Sequence, residues 1–196
     1  MNADEVLETQ FVGAAIEIFR AVQQKYADAA RNNFTAYVAA TLAASARAGG
    51  RHNPTGEFGA IYCADSTATM WLEVAARFRR EGIPGLPPEM AVIRVVVTEG
   101  ILVDLTDPAV REIWSVDEEW LVAEDPSSAQ KHDCHVVARA GRVLADFLAA
   151  PSARDRSGTN YAVFADRPES QLRWDVVSVR SEMPPPFLRQ KDDEAW

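Results

Sequence analysis

The sequence predicts an α+β fold in a single domain. The chain has 196 residues, which is the size of one domain or of one domain with short extensions. Short apolar segments typical of strands are interspersed irregularly with helical patterns, whereas a doubly wound sheet needs regular alternation. No strand–GxGxxG–helix unit is present, so the sequence does not support a Rossmann dinucleotide site.

The region before the first glycine pair is predicted to be mainly helical over residues 6–48. Apolar residues recur at steps of three and four along residues 11–19, which is the period of an amphipathic helix. Residues 42–48 are rich in alanine and stop at Gly49 and Gly50, and glycine commonly ends a helix.

A strand, a helix and a loop are predicted next. Residues 59–63 read as a short strand. Residues 65–67 offer an N-cap for a strong helix over residues 68–80, which has its large apolar residues on one side. The glycines and prolines of residues 81–88 indicate a loop.

The second half of the chain is predicted to contain four strands and two helices. Residues 91–97 are apolar and β-branched, and residues 101–105 are expected to pair with them after a turn at Glu99 and Gly100. Asp107 followed by Pro108 indicates the start of a short helix through Trp114. The remaining predictions are a polar loop over residues 118–128, a helix over 132–148 with a potential break at Gly141, a loop over 151–155, and strands over 160–164 and 172–179.

Composition and charge exclude several classes of function. The net charge of −9 argues against broad nucleic-acid binding, because neutralising phosphates needs clustered Lys and Arg. The acidic N-terminus lacks the basic region of a signal peptide. No apolar run approaches the ~20 residues of a membrane span. We therefore expect a cytoplasmic protein that binds neither nucleic acid directly nor a membrane.

No metal centre is expected. Cys63 and Cys134 lie in apolar runs without metal-ligand spacing, so buried free thiols are expected, with a disulfide as the alternative. His132 and His135 stand three residues apart, but zinc would need a further ligand. The sequence also has no Walker loop, HExxH, CxxC or GxSxG motif.

The segment from Gly49 to Glu73 carries the most chemistry. It places Arg51 in a loop, Tyr62 on a strand and Glu73 on a helix. An arginine can hold a diphosphate with its planar fork, an aromatic ring can stack on a planar ring, and a carboxylate can stabilise a developing cation. These residue types fit a site that handles NAD as a substrate rather than as a hydride carrier.

Each of these residues also has a purely structural interpretation. Arg51 could be a surface arginine after a helix, Tyr62 a core tyrosine, and Glu73 a residue on the solvent face. Arg20 taken alone reads as a surface helix residue. The loop serines read as caps of neighbouring turns and helices. These alternatives predict that the side chains of Arg51, Tyr62 and Glu73 face different directions.

Taken together, the motifs resemble the RES domain, a family named after Arg, Glu and Ser. The resemblance spans roughly residues 16–180 and is most specific at the Gly-Gly-Arg-x-Asn-Pro motif. The blocks that carry it are Ile18-Phe19-Arg20-Ala21, Gly49-Gly50-Arg51-His52-Asn53-Pro54, Phe58-Gly59-Ala60-Ile61-Tyr62, Asp65-Ser66, Leu72-Glu73-Val74, Val103-Asp104-Leu105-Thr106, Cys134-His135-Val136-Val137-Ala138 and Leu148-Ala149-Ala150-Pro151-Ser152-Ala153-Arg154.

The resemblance implies an ADP-ribosyltransferase-like fold, with a split mixed β-sheet and surrounding helices around an NAD cleft. Many RES proteins are toxins of bacterial type II toxin–antitoxin pairs and are neutralised by an Xre-family antitoxin. They consume NAD by breaking its nicotinamide–ribose bond with phosphate or water, or they transfer ADP-ribose to a protein. The resemblance thus implies NAD as the substrate, inorganic phosphate as a candidate second substrate, an Xre-family partner, and either a homo-oligomer or a hetero-complex.

The family pattern also assigns roles to residues. Arg20 and Arg51 match NAD-binding arginines, Tyr62 the tyrosine that stacks on nicotinamide or ribose, and Glu73 the catalytic glutamate. Binding roles are implied for Asn53 and Ser152. The catalytic serine is implied to be Ser128, with its neighbour Ser127 as the other candidate.

This chain departs from the family pattern after two of these arginines. Ala21 follows Arg20, and His52 replaces an aromatic residue after Arg51. The family's active-site serine lies in the loop before the Cys134 helix, where Ser127 and Ser128 are only the nearest candidates. A protein-directed mono-ADP-ribosyltransferase and a catalytically weakened RES-fold binding protein therefore stay open as alternatives. The expected organisation is an N-terminal extension over residues 1–10, the RES domain over residues 11–183 and a tail over residues 184–196.

Overall fold

The computed structural model describes residues 9–12, 15–83, 90–124 and 126–188. Seven strands form one sheet, and six α-helices with a final 3₁₀ turn surround it in this part of the chain. The strands are β1 (Gln10–Val12), β2 (Ile16–Val22), β3 (Ile61–Ala64), β4 (Met90–Asp104), β5 (Phe147–Pro151), β6 (Thr159–Val163) and β7 (Arg173–Glu182). The helices are α1 (Gln24–Asn32), α2 (Phe34–Ala48), α3 (Thr67–Arg80), α4 (Pro108–Ile113), α5 (Glu118–Val122) and α6 (Ser128–Leu144).

The long strand β4 belongs to both halves of the sheet. Its first part pairs with β2 and β7, and its last part pairs with β1 and, in parallel, with β5. Strands β5, β6 and β3 follow in antiparallel order, and a single residue pair, Phe19 with Ala64, joins β3 back to β2. The sheet is therefore mixed and has two halves, and the predicted α+β class is confirmed.

Three apolar clusters cover the sheet. Helices α1 and α2 cover one face of the β2–β4–β7 half, where Ile18 and Ile93 are buried. Helix α3 covers the opposite face of this half, where Val92 packs with Trp71. Helices α4 to α6 cover the half formed by β5, β6 and the end of β4.

The predicted helix over residues 11–19 is wrong, because most of this segment forms β1 and β2. Strand β2 is covered on both faces: Ile18 packs toward α1 and α2, whereas Phe19 and Ala21 pack toward α3. Apolar residues at both parities remove the alternation that identifies a half-exposed strand. Residues 6–8 and 13–14 of the predicted helical region lie outside the described residues.

The predicted turn at Glu99 and Gly100 is also wrong, since β4 runs through both residues. Residues 101–105 pair in register with β1 and β5 rather than with residues 91–97. Gly100 serves close packing, because a Cβ atom there would lie 2.9 Å from Cε1 of Phe147.

Two boundaries in the second half differ from the prediction. The predicted polar loop over residues 118–128 contains α5, whose N-cap Asp117 accepts a hydrogen bond from the backbone N–H of Glu119. The predicted helix over residues 132–148 ends at Leu144, and its last residues belong to β5. Gly141 does not break the helix; it allows Leu148 to approach, whose Cδ2 would lie 2.6 Å from an added Cβ.

Other predicted elements are confirmed. Helix α2 ends at Ala48, and Gly49 follows it with a φ of 70°. Helix α3 begins after Ser66, whose Oγ accepts from the backbone N–H of Thr69. The strands predicted near residues 59–63, 160–164 and 172–179 are present as β3, β6 and β7. Within the predicted tail, Leu188 is buried against the α3 cluster.

The contact between Gly59 and α2 gives a direct test of the fold. An alanine Cβ at residue 59 would lie 2.1 Å from the carbonyl oxygen of Leu42, so α2 and the start of β3 would have to separate. We expect Gly59→Ala to lower the free energy of unfolding by about 3 kcal/mol. Gly82→Ala is the control, because its Cβ meets no atom within 4 Å and only a φ of +71° opposes it; its cost should be about 1 kcal/mol. Equal losses in urea denaturation would contradict this packing.

Candidate active site

Asn53 fixes the loop that carries Arg51. Its side chain is fully buried, and its amide donates to the backbone carbonyls of Ser45 in α2 and Phe58 ahead of β3, at 3.0 and 3.1 Å. Its Oδ1 accepts from the hydroxyl of Tyr62 at 2.7 Å. These three contacts engage the Asn53 amide inside the protein, so its observed role is to hold the loop.

Tyr62 is tied to the same loop. Its hydroxyl accepts from the backbone N–H of His52 at 2.9 Å while it donates to Asn53. Burial raises the pKa of Tyr62 well above its ordinary value, and the nearby charge of Arg51 opposes this effect. The phenol therefore stays protonated and rigidly oriented.

Arg51 points away from this anchor toward α5. Its two terminal nitrogens donate to the backbone carbonyls of Leu121 and Ala123. Burial lowers the pKa of Arg51, and Cys134 and Glu73 partly oppose this shift. The electrostatic interaction between Arg51 and Glu73 shows that the loop and helix α3 present opposite charges to one region.

Glu73 projects from α3 and is held through one carboxylate oxygen. Its Oε1 accepts from the hydroxyl of Ser152 at 2.6 Å and from the side-chain amide of Asn160 at 2.7 Å. No hydrogen bond to its other oxygen, Oε2, is present among the described residues. One oxygen thus sets the orientation and leaves the other available to a ligand.

Ser152 is itself fixed by the turn that follows β5. It is 2% exposed, and its Oγ accepts from the backbone N–H groups of Arg154 and Asp155, both at 3.1 Å. Helix α3 docks on the same turn through the hydroxyl of Thr69, which donates to Asp155 at 2.8 Å. Two independent contacts therefore set the position of Glu73.

Arg20 and Ser128 do not contact Glu73. The guanidinium of Arg20 donates to the hydroxyl of Tyr37 at 3.2 Å and to the backbone carbonyl of Tyr62 at 2.7 Å. It lies beside Cys63, on the face of β3 opposite the Tyr62 side chain, and helps to line a cavity of about 10 Å³. Ser128 is an exposed residue at the start of α6, and its neighbour Ser127 caps that helix.

Two residues that the sequence did not single out belong to this region. Asn160 lies in β6 and contacts Glu73, and a polar residue near the start of an apolar strand was the available signal. Arg154 lies in the turn that contains Ser152. Besides burial, the positive charges of Arg154 and Arg80 contribute to lowering the pKa of Arg51. The charges of Arg51, Arg80 and Arg154 therefore interact in a chain of net charge −9, and clustered positive charge suits an anionic ligand.

The buried free thiols predicted from the sequence are confirmed. Cys63 and Cys134 are both free and buried. Within residues 9–12, 15–83, 90–124 and 126–188, no group of three His, Cys, Asp or Glu side chains is placed to hold a metal ion.

Comparison with known proteins identifies the family of this chain. A model of the RES domain matches residues 17–183, which include the Arg51 loop, Glu73, Ser152 and Asn160. The chain belongs to the RES domain family.

Two relatives extend the comparison. A protein of Mycobacterium tuberculosis (strain ATCC 25618 / H37Rv) named probable NAD(+) phosphorylase is 31% identical over 156 residues, which are 79% of this RES chain and 70% of that protein. A chain in the crystal structure of the M. tuberculosis MbcT–MbcA toxin–antitoxin complex has a TM-score of 0.64 at 20% identity, and the match covers 89% of this RES chain and 87% of that chain. The second likeness shows a shared fold.

His52, where this RES chain departs from the family pattern, is a buried imidazole in the Arg51 loop. Its ring is 5% exposed and lies 6.4 Å from that of Tyr62 between centroids. Burial, reinforced by the charges of Arg51 and His135, lowers the pKa of His52 from 6.5 to about 3. The folded protein therefore keeps this imidazole neutral.

We expect this histidine to make the domain lose stability in mild acid. Below pH 6.5 the unfolded chain protonates His52 while the folded chain does not, so stability falls as pH drops toward about 3. Between pH 7.5 and pH 5, the wild type should lose up to about 2 kcal/mol more unfolding free energy than His52→Phe. Urea denaturation at both values measures this, and an equal loss in the two proteins would contradict it.

Proposed function

We propose that this RES protein is a cytoplasmic toxin that degrades NAD by cleaving its nicotinamide–ribose bond. The observation that carries the proposal is the Glu73 carboxylate, oriented by Ser152 and Asn160 in a region that Arg51 makes positive. Family membership and the 31% identity to a protein named probable NAD(+) phosphorylase support it.

The proposed chemistry needs a carboxylate rather than an acid. Nicotinamide leaves NAD with the electron pair of the C–N bond and becomes neutral, so it needs no proton to depart. Positive charge then develops on the ribose, and the free Oε2 of Glu73 would stabilise it where it forms. The oxygen of inorganic phosphate or of water completes the new bond to the ribose, with phosphate favoured by the name of the relative.

The other residues divide into ligand-binding and positioning groups. Arg51 would bind the diphosphate, and Tyr62 would stack its fixed ring on nicotinamide or ribose. Arg20 would bind from the far side of β3 only after releasing Tyr37, while Ser128 would meet the ligand at the start of α6. Asn53 and Ser152, which are engaged internally, would act by holding Tyr62 and Glu73.

We also propose a protein partner from the Xre antitoxin family. A chain of similar fold forms a toxin–antitoxin complex, and the acidic character of this chain suits a basic partner. No described helix is long and apolar enough to span a membrane. Neutralisation would follow if the partner covered the Glu73 region and kept NAD out.

Glu73→Gln tests the proposed function. The substitution keeps the shape of the side chain but removes the charge that stabilises the ribose cation, so NAD consumption should fall by about 100-fold or more. Glu81→Gln is the matched control, because Glu81 lies at the exposed end of the same helix and pairs with Arg77. NAD loss measured on purified, folded protein with and without phosphate decides the matter. Full activity of Glu73→Gln would refute this assignment, and transfer of label to a macromolecule would favour the transferase.

Asn160→Ala tests the positioning of Glu73. Losing one of the two donors to Oε1 should lower kcat by about tenfold while KM changes little, because a hydrogen bond to a charged group contributes roughly 1.5–3 kcal/mol. Asn32→Ala, at the exposed end of α1, provides a control for substitution of an asparagine. Steady-state kinetics of NAD loss measure both constants. A higher KM with an unchanged kcat in Asn160→Ala would contradict the role of Asn160 in positioning Glu73.

A further inference from the structure

The segment from Leu121 to Glu124 binds the side chains of Arg51 and Arg154. Arg51 donates to the backbone carbonyls of Leu121 and Ala123. Arg154 donates to the backbone carbonyl of Glu124 at 3.0 Å and pairs with its carboxylate at 2.5 Å. The end of α5 therefore supplies the acceptor atoms that a bound anion would otherwise supply.

The two partners in the Arg154–Glu124 pair are unequally exposed. The side chain of Arg154 is 13% exposed, whereas that of Glu124 is 69% exposed. A largely buried guanidinium needs acceptors, but a carboxylate that remains largely in water gains little from the ion pair. A phosphate offers more charge and more oxygens to the same fork, so it can displace Glu124 at small cost.

The geometry of the segment suits a short latch. Leu121 is 1% exposed and packs with the α4–α6 core, so this end is anchored. Ala123 lies at the end of the five-residue helix α5, and Glu124 follows in irregular backbone. A small movement beyond Leu121 would free Arg154 and one of the two Arg51 contacts while Leu121 stayed in place.

We propose that Arg51 and Arg154 form an anion subsite for phosphate groups, and that Glu124 is its intramolecular occupant. The anion is either the diphosphate of the dinucleotide or free inorganic phosphate, which share the same recognition chemistry. The link to NAD turnover rests on the proposed function; the subsite itself rests on the contacts of Arg51, Arg154 and Glu124. The latch reduces the apparent affinity for the anion, because part of the protein holds Glu124 in the subsite.

Glu124→Gln tests the latch through binding rather than turnover. Titration calorimetry with inorganic pyrophosphate and with inorganic phosphate should show about 3- to 10-fold tighter binding to the variant than to the wild type. Glu119→Gln removes the same charge from an exposed position on α5 and controls for the change in overall field. Arg154→Lys, which keeps the charge but loses the fork, should abolish the gain when it is combined with Glu124→Gln.

The outcomes separate the subsite from the proposed function. Tightening for pyrophosphate alone identifies the diphosphate position, and tightening for phosphate alone identifies the acceptor position. Binding that is equal in Glu124→Gln and Glu119→Gln for both anions would overturn the latch. Failure of the wild type to consume NAD would refute the proposed function and leave the binding result standing.

Discussion

The pair of hydrogen bonds from Ser152 and Asn160 to a single oxygen of Glu73 is the constraint on which the candidate site depends. It joins helix α3 to the turn after β5 and to β6, which are far apart in the sequence. The close approach is possible because residue 158 is glycine: a Cβ there would lie 2.2 Å from Oγ1 of Thr69. If Glu73 lost both donors, its partly buried carboxylate would keep its desolvation cost without compensation. The same two hydrogen bonds therefore stabilise the fold and orient the Glu73 side chain.

The second feature of the site is the group of arginines around Arg51 and the atoms that accept their hydrogen bonds. Arg51, Arg80 and Arg154 place positive charges close enough to interact, in a chain whose net charge is −9. Backbone carbonyls and the Glu124 carboxylate accept the hydrogen bonds of Arg51 and Arg154. Phosphate oxygens can take the place of these acceptors on the same guanidinium groups, which links the local charge to anion binding.

The sequence predicted the parts of the site that are encoded locally. Gly49, the Asn53 motif and the Ser66 cap act within a few residues, and the structure has them as turn, anchor and helix start. Parts that depend on distant packing were not predictable in this way. The sequence predicts a helix at β2 because both faces of the strand are buried and its apolar residues do not alternate. It predicts a turn at Gly100, whereas β4 continues because this glycine packs against Phe147 of another strand.

The same distinction applies to side chains. Glu73 stood out as a glutamate within an apolar helix, whereas the contact of Asn160 with it depends on the pairing of β3 with β6. The structure brings Arg51, Tyr62 and Glu73 into one region, but it places Arg20 on the other face of β3. The spacing of the serines in the sequence does not show which one contacts Glu73. The turn after β5 brings Ser152 to Glu73.

A crystal structure of the Glu73→Gln variant with NAD bound would test the central claim most directly. The account predicts that the nicotinamide ribose lies against the side chain of residue 73, with the diphosphate on Arg51 and Glu124 displaced from Arg154. The contrary result would be NAD ordered elsewhere, for example in the surface groove lined by Phe19, Arg94 and Arg180 on the α3 face of the sheet. That result would remove Glu73 from the reaction.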